Sequence, residues 1–411
     1  MEPIQLGSLT LFPFGLIVGL CAIPALVCAG LGMKRRGLRA ETASWFALLS
    51  VPLALLLSRL VYCLMQLDVL LGSDDWGMFL RLPEGGFVLW GAVAGGLLAA
   101  WLTGKITRQK GGHIADSAVI VALILIAVGR IASGLLFEDT SIGLDLQTWF
   151  VPEDALYEEA APEEDEEIWG EEDGEVWGED DEVWGEDDEV WGDDSEVWGD
   201  DSEVWGDDSG VPEAETLPAA AEDPAAPRRY SFFTLKDHRF FERFPFAVKN
   251  YYGEWSWAVF VPEALWALGI ALVLWRARAR EGGRTALFVL LYACGQIFLE
   301  GLKRGEVLHL PWLNFVRANQ ILCAIAIVAV WAVCCRGSGA GKGRILVSLA
   351  QILLAMGVVV AMEFSTFEQK ISFLAPVPVA GCFLIMLGAC AWMALAILPL
   401  WRRKYSVKTD R

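Results

Sequence analysis

The chain has 411 residues, 55% of them hydrophobic, and a formal charge of −21. Its apolar residues fall in blocks of bilayer length, where about 20 helical residues cover the hydrocarbon core, which excludes an ordinary soluble globular protein. The charge is local, since residues 138–255 hold 39 of the 53 acidic residues but 6 of the 32 basic ones, leaving a basic body around an acidic insert.

Met1-Glu2-Pro3 opens the chain without the basic segment of a cleavable signal peptide. Apolar runs then predict nine spans, at about 11–33, 43–67, 86–103, 114–137, 256–275, 285–302, 318–335, 345–362 and 375–400. Alternate loops are basic. Lys34, Arg35, Arg36 and Arg39 follow the first span, and Lys105, Arg108 and Lys110 the third. Arg276, Arg278, Arg280 and Arg284 follow the fifth, Arg336, Lys342 and Arg344 the seventh, and Arg402, Arg403 and Lys404 the last. The loops between these include Asp68, Asp74, Asp75, Glu363 and Glu368. Basic loops stay on the cytoplasmic side, so the pattern predicts an external N-terminus and a cytoplasmic C-terminus. Basic residues confined to short loops at membrane ends argue against nucleic acid as a partner. The segment 303–317 departs from the alternation with Lys303, Arg304 and Arg317. Two readings stand for it: contact with lipid headgroups, or a cationic site for an anionic substrate.

Between the fourth and fifth spans a Glu-Val-Trp-Gly unit recurs with a period of seven, marked by Trp177, Trp184, Trp191, Trp198 and Trp205. One aromatic and one valine per unit, set among repelling carboxylates, cannot bury enough apolar surface to offset the entropy of ordering. Residues 150–228 are therefore predicted to be disordered, and their tandem identity suggests a dispensable repeat expansion. From Arg228 to Trp257 the composition turns aromatic and predicts an ordered patch at the outer membrane surface. The predicted architecture is an all-α polytopic transmembrane helical bundle with a small extracytoplasmic head. Its parts are 1–137 with spans one to four, the loop 138–255, spans five to seven in 256–335, and 336–411 with two further spans and a basic tail. The nine cysteines lie in or beside apolar segments without metal-ligand spacing, which predicts packing residues and neither metal nor disulfides.

Ionisable residues at membrane depth are costly, so each one marks a candidate site. Arg59, Arg130, Glu263 and Glu300 all fall in the outer half of their spans, with Lys303 and Arg304 just beyond. They form either a polar cavity for a phospholipid headgroup, which suits the fixed fork of arginine, or a set of structural ion pairs. Gly85 and Gly86 open the third span, and Gly91, Gly95 and Gly96 recur along it, as close helix packing requires.

Short stretches in this order resemble the prolipoprotein diacylglyceryl transferase family between residue 4 and about 335. They are Ile4-Gln5-Leu6-Gly7 through Pro13-Phe14-Gly15, Ser58-Arg59-Leu60-Val61-Tyr62 and Glu84-Gly85-Gly86-Phe87-Val88-Leu89-Trp90-Gly91, then Ile114-Ala115-Asp116 with Val128-Gly129-Arg130-Ile131. Val261-Pro262-Glu263-Ala264-Leu265-Trp266, Tyr292 through Glu300 and Asn319-Gln320-Ile321-Leu322 complete the set. Phe14 stands for the family's tyrosine, Trp90 for its histidine, Ser133 for an asparagine, Gln296 for an arginine and Lys303 for a further arginine. The resemblance implies an enzyme of the bacterial cytoplasmic membrane. Such an enzyme moves a diacylglyceryl group from phosphatidylglycerol to the lipobox cysteine of a prolipoprotein, with membrane lipid and a signal peptide as partners and no cofactor.

That reaction needs a cation at the leaving phosphate and a route for the thiol proton. Arg130 with Glu300 or Glu138 are the candidate catalytic groups. Arg59, Gly85, Gly86, Trp90, Ser133, Gln296, Lys303 and Gln320 are the candidate substrate-binding residues. Tryptophan cannot shuttle a proton as histidine does, and His113, His238 and His309 offer no replacement. A non-catalytic relative that binds lipid or lipoprotein is the alternative, and a transporter on a similar bundle is a third reading without the internal repeats it needs. The predicted orientation is checked by fusions at the C-terminus: green fluorescent protein should fluoresce there and alkaline phosphatase should be inactive.

Overall fold

A computed structural model of the chain describes residues 4–6, 9–66, 86–136, 142–146, 244–249, 255–303, 309–310, 313–368, 377 and 379–406. The acidic repeat, Gly85 and Glu138 lie outside the described residues, as do Arg304 and His238. Nine helices run through the remainder: α1 (Pro13–Arg35), α2 (Ala40–Met65), α3 (Leu89–Thr107), α4 (Gly111–Leu135), α5 (Phe260–Arg276), α6 (Gly283–Gly301), α7 (Ala318–Cys335), α8 (Lys342–Glu368) and α9 (Val379–Tyr405). Seven are long and apolar enough to cross a membrane, the two others being α5, with 17 residues, and α6. The all-α polytopic architecture expected from hydropathy is thus present. No described cysteine is in a disulfide.

The helices differ in how much protein surrounds them. Helix α1 buries two residues, Ala29 and Met33, and presents Leu16, Leu20, Ile23, Val27 and Leu31 outward. Helix α6 is the opposite case, packed against α4, α5, α7 and α9 and buried along most of its length. Enclosure by protein explains why α6 falls outside the apolar set: its polar side chains Gln296 and Glu300 meet other side chains and not lipid.

Helices α2 and α3 approach backbone to backbone. A Cβ at Gly91 would meet the main chain at Leu57 and Ser58, and one at Gly95 the main chain at Leu53 and Ala54. Small residues at this spacing are what close helix packing needs. The contact is locked at its end by Ser58 Oγ, which donates to Val88 O at 2.8 Å.

Short strands gather at the end of the bundle where α2, α4 and α6 finish. β1 (Ile4–Leu6) pairs with β2 (Leu9–Leu11) antiparallel, and β3 (Ile142–Asp145), β4 (Ala247–Lys249) and β5 (Trp255–Ala258) form an antiparallel sheet in the order β3-β5-β4. β6 (His309–Leu310) pairs with β7 (Leu313–Arg317), which leads directly into α7. The three-stranded sheet includes part of the aromatic patch expected near Trp257. It is tied to the bundle by Leu144 N, which donates to Leu302 O at 2.8 Å, and by an antiparallel bridge between Gly143 and Lys303.

The other end is held by Asp116 on α4. Its carboxylate accepts from Gly282 N at 3.0 Å, Thr285 N at 2.9 Å and Thr285 Oγ1 at 2.8 Å, so it caps α6 from a different helix and places negative charge at the positive end of the helix dipole. Arg36 lies 3.8 Å from the same carboxylate. Burial and the neighbouring Arg284 lower the proton affinity of Arg36, and Asp116 opposes them.

One element differs from the sequence expectation. Helix α8 runs to Glu368, so Glu363, read from sequence as a loop acid, lies inside a helix and is 2% exposed. Hydropathy ends a span at the first carboxylate, whereas a carboxylate with a buried donor continues the helix.

Gly91→Leu or Gly95→Leu should separate α2 from α3 and destabilise the protein by about 1–3 kcal/mol or more, the usual cost of overpacking. Gly96→Ala, where nothing lies within 4 Å of the added Cβ, should leave the melting temperature in detergent undiminished or slightly raised, as for other glycines in helix interiors.

Candidate functional site

The described ionisable residues among those singled out in the sequence lie at the sheet end of the bundle, and most of them form one connected network. Glu263 sits in the first turn of α5, where the helix dipole favours a carboxylate. Its Oε2 is 3.2 Å from Arg130 Nε of α4, and its Oε1 is 3.0 Å from Lys303 Nζ. The same ammonium is 3.0 Å from Glu300 Oε2 at the end of α6. Lys303 therefore bridges two carboxylates, with its backbone held by the bridge to Gly143. Glu263, Glu300 and Lys303 are each under 5% exposed, whereas the Arg130 side chain keeps 23%.

Neutral donors complete the network. Gln296, one turn before Glu300, donates through Nε2 to Glu263 Oε1 at 2.7 Å and to Glu300 Oε2 at 3.2 Å. Asn319 Nδ2 of α7 donates to Glu300 Oε2 at 2.8 Å. Glu300 Oε2 thus receives Lys303, Gln296 and Asn319. Gln296 Oε1 is buried without a hydrogen-bond donor among the described residues. Tyr292, one turn earlier on the same face of α6, lies beside the Arg130 guanidinium.

A second corner adjoins the first. Arg317, the residue before α7, donates from its guanidinium to the main-chain oxygens of Glu300 and Lys303 at the open end of α6. Burial lowers its proton affinity, opposed by Glu300 and then Glu363. Gln320 accepts from Arg317 N through Oε1 at 3.1 Å, and its Nε2 donates to Ile297 O at 3.2 Å and Glu363 Oε1 at 2.6 Å.

Three further candidates flank the network. Arg59 Nη1 donates to Gly86 O at 3.3 Å, and its guanidinium lies 5.2 Å from the centre of the Tyr62 ring. Gly86 has φ +72°, and a Cβ there would fall 2.5 Å from both Arg59 Nη1 and Tyr62, so both conformation and space require glycine. Trp90 packs edge-on against Tyr292 at 5.9 Å and donates from Nε1 to Cys323 Sγ at 3.2 Å. Ser133 is buried near the end of α4. On a different face of α4 from Arg130, an apolar groove against α1 is lined by Ile17, Val128, Ile131, Ala132, Leu135 and Leu136.

The family profile of prolipoprotein diacylglyceryl transferase matches residues 2–162 and 172–336. The chain belongs to that family. Among curated relatives it resembles the phosphatidylglycerol–prolipoprotein diacylglyceryl transferase of Oceanobacillus iheyensis, 29% identical over 127 residues, 31% of this chain and 44% of that protein. The enzyme of the same name from Halalkalibacterium halodurans is 32% identical over 127 residues, 31% of this chain and 43% of the relative. That of Frankia alni is 27% identical over 128 residues, 31% of this chain and 34% of the relative. The chain thus spans less than half the length of the curated relatives it matches.

Within the transferase family framework, α8 and α9 lie beyond the matched residues, yet α8 contributes Glu363 to the network. Asn319 and Glu363 join the network without having been sequence candidates, and Glu263 and Arg317 join it as charged residues to which the sequence assigns no catalytic or substrate-binding role. Glu263 was legible as a buried acid opening a span, and Arg317 as a basic residue breaking the loop alternation. Asn319 was visible only as the neighbour of Gln320, and Glu363 had no sequence signal, since it read as a loop residue.

Removing Lys303 strands Glu263 and Glu300 against each other. Lys303→Met should destabilise the protein by about 3–5 kcal/mol, and adding Glu263→Gln should recover part of that loss. Thermal unfolding in detergent across the double-mutant cycle checks it; additive losses would mean that the bridge is not an energetic unit.

Proposed function

We propose that this protein transfers a diacylglyceryl group from phosphatidylglycerol to the lipobox cysteine of prolipoproteins at the outer face of the cytoplasmic membrane. The reading rests on nine spans, an external N-terminus and the sheet end facing out, as the charge alternation of the loops implies. The single observation that carries it is Arg130. It is a guanidinium at membrane depth, held by a buried carboxylate, on a side chain that keeps 23% of its surface exposed. A lipid phosphodiester is the ligand class that fits a fixed guanidinium at that depth.

In the reaction, the thiolate sulfur of the lipobox cysteine attacks the glycerol carbon that bears the phosphate ester. The C–S bond forms, the C–O bond breaks, and glycerol phosphate leaves with the electron pair, the proton lost by the thiol ending on that phosphate by way of solvent. Negative charge builds on the departing phosphate, where Arg130 offers a fixed positive charge with no reorganisation. Glu263 aims that guanidinium and Lys303 adds charge behind it. Gln296 Oε1, lacking a donor among the described residues, is suited to accept from a glycerol hydroxyl of the headgroup. Glu300 accepts from three donors, which favours a positioning role for it over that of a base.

A second reading has its own observation. Trp90 fills the family's histidine position with an indole bonded to Cys323, and both Glu263 and Glu300 are occupied by cations. On that basis the protein is a non-catalytic relative that retains lipid or lipoprotein binding.

Expression in cells depleted of their own transferase separates the two. The first reading expects growth to be restored, and Arg130→Ala to lower lipidation by at least about 100-fold, the scale of losing one transition-state contact. Membrane-inserted protein that fails to lipidate a prolipoprotein, yet binds phosphatidylglycerol through Arg130, would support the second. Undiminished lipidation by Arg130→Ala would sink the first reading, and undiminished phosphatidylglycerol binding by that variant would sink the second.

A further inference from the structure

Helix α8 lies outside the residues that match the family, which end at 336, yet it reaches the site. Glu363 is buried against the end of α6, its Oε1 lying 3.6 Å from where a Cβ on Gly301 would sit. Its hydrogen-bond partner among the described residues is Gln320 Nε2, at 2.6 Å. A carboxylate that only accepts draws the amino end of the Gln320 amide toward α8, and Ile297 O accepts from the same amino group at 3.2 Å. The oxygen end then faces Arg317 N and accepts from it at 3.1 Å. Were the amide turned over, its oxygen would meet the carboxylate, and its amino group would meet a backbone donor. Both contacts repel. Glu363 and Ile297 O together therefore hold the amide that caps the start of α7, and with it the arginine that clamps the carbonyls of Glu300 and Lys303.

We propose that Glu363 is a positioning residue, acting through Gln320 and Arg317 to hold Lys303 in place, so that α8 is an integral part of the site. This rests on the transferase reading for its effect on activity, but not for its effect on α7. A role in packing alone predicts that Glu363→Gln, nearly isosteric, changes nothing. The positioning role predicts otherwise, because a neutral amide at 363 is a weaker acceptor and leaves Gln320 held chiefly by Ile297 O and Arg317 N, which loosens it.

The test uses the full chain in vesicles containing phosphatidylglycerol, with Glu363→Gln, Gln320→Leu and the double variant. Hydrogen exchange reports the backbone amides of the first turn of α7, and lipidation of a lipobox peptide reports activity. Glu363→Gln should speed exchange in that turn by about 10-fold and lower kcat by about 10- to 100-fold, the scale of a misplaced catalytic group. The double variant should be no worse than Gln320→Leu, since Glu363 then has no amide to orient. Unchanged exchange in Glu363→Gln, or losses that multiply in the double variant, would overturn the proposal. Faster exchange with undiminished lipidation would also overturn it, as the site would not depend on the residue. If the parent chain transfers nothing while exchange responds as expected, the positioning of α7 stands and the transferase reading falls.

Discussion

The Lys303 ammonium shared by Glu263 and Glu300 is the contact on which the rest of this end of the molecule depends. Two carboxylates brought this close in a poorly hydrated interior repel unless a cation sits between them, and a cation so buried needs both of them in turn. The main chain around Lys303 is fixed accordingly. The strand bridge at Gly143 holds it from one side and the Arg317 guanidinium from the other. Arg130 then has one place to go, against the remaining oxygen of Glu263. A lipid-facing helix could not carry this arrangement, so the network sits where α6 is enclosed by its neighbours.

The family departures make sense in the same electrostatic terms. An arginine at position 296 would add a cation between carboxylates that Arg130 and Lys303 already compensate. Glutamine supplies donors to both acids without adding charge. Trp90 replaces a polar, titratable ring with a large apolar one whose N–H still finds an acceptor in Cys323, and it fills the space against Tyr292. Charge at this end is thereby concentrated in groups that pair with one another, with Arg130 as the most exposed member of the ion network.

The opposite end of the bundle is organised by a simpler device. Asp116 caps α6 and meets Arg36, so the central helix carries a carboxylate at its positive end and a guanidinium at its negative end. Both are supplied by other segments of the chain. The helix that bears Gln296 and Glu300 is thus held axially from both termini, which a site built on its side chains requires.

Much of this was legible in the sequence. Long apolar runs fixed the helices to within a few residues, because a bilayer leaves few alternatives to helix. The cost of burying charge singled out Arg59, Arg130, Glu263 and Glu300 as residues with a reason to exist. What no run of residues could supply was the pairing. Whether Arg59 or Arg130 met Glu263 depended on which helices adjoin, and Arg59 turned instead to Gly86 and Tyr62. Whether Glu363 was a loop acid or a buried one depended on Gln320, 43 residues away in the chain. Burial cost is a property of one residue and can be read locally. Compensation is a property of neighbours in space, and only the tertiary fold decides who they are.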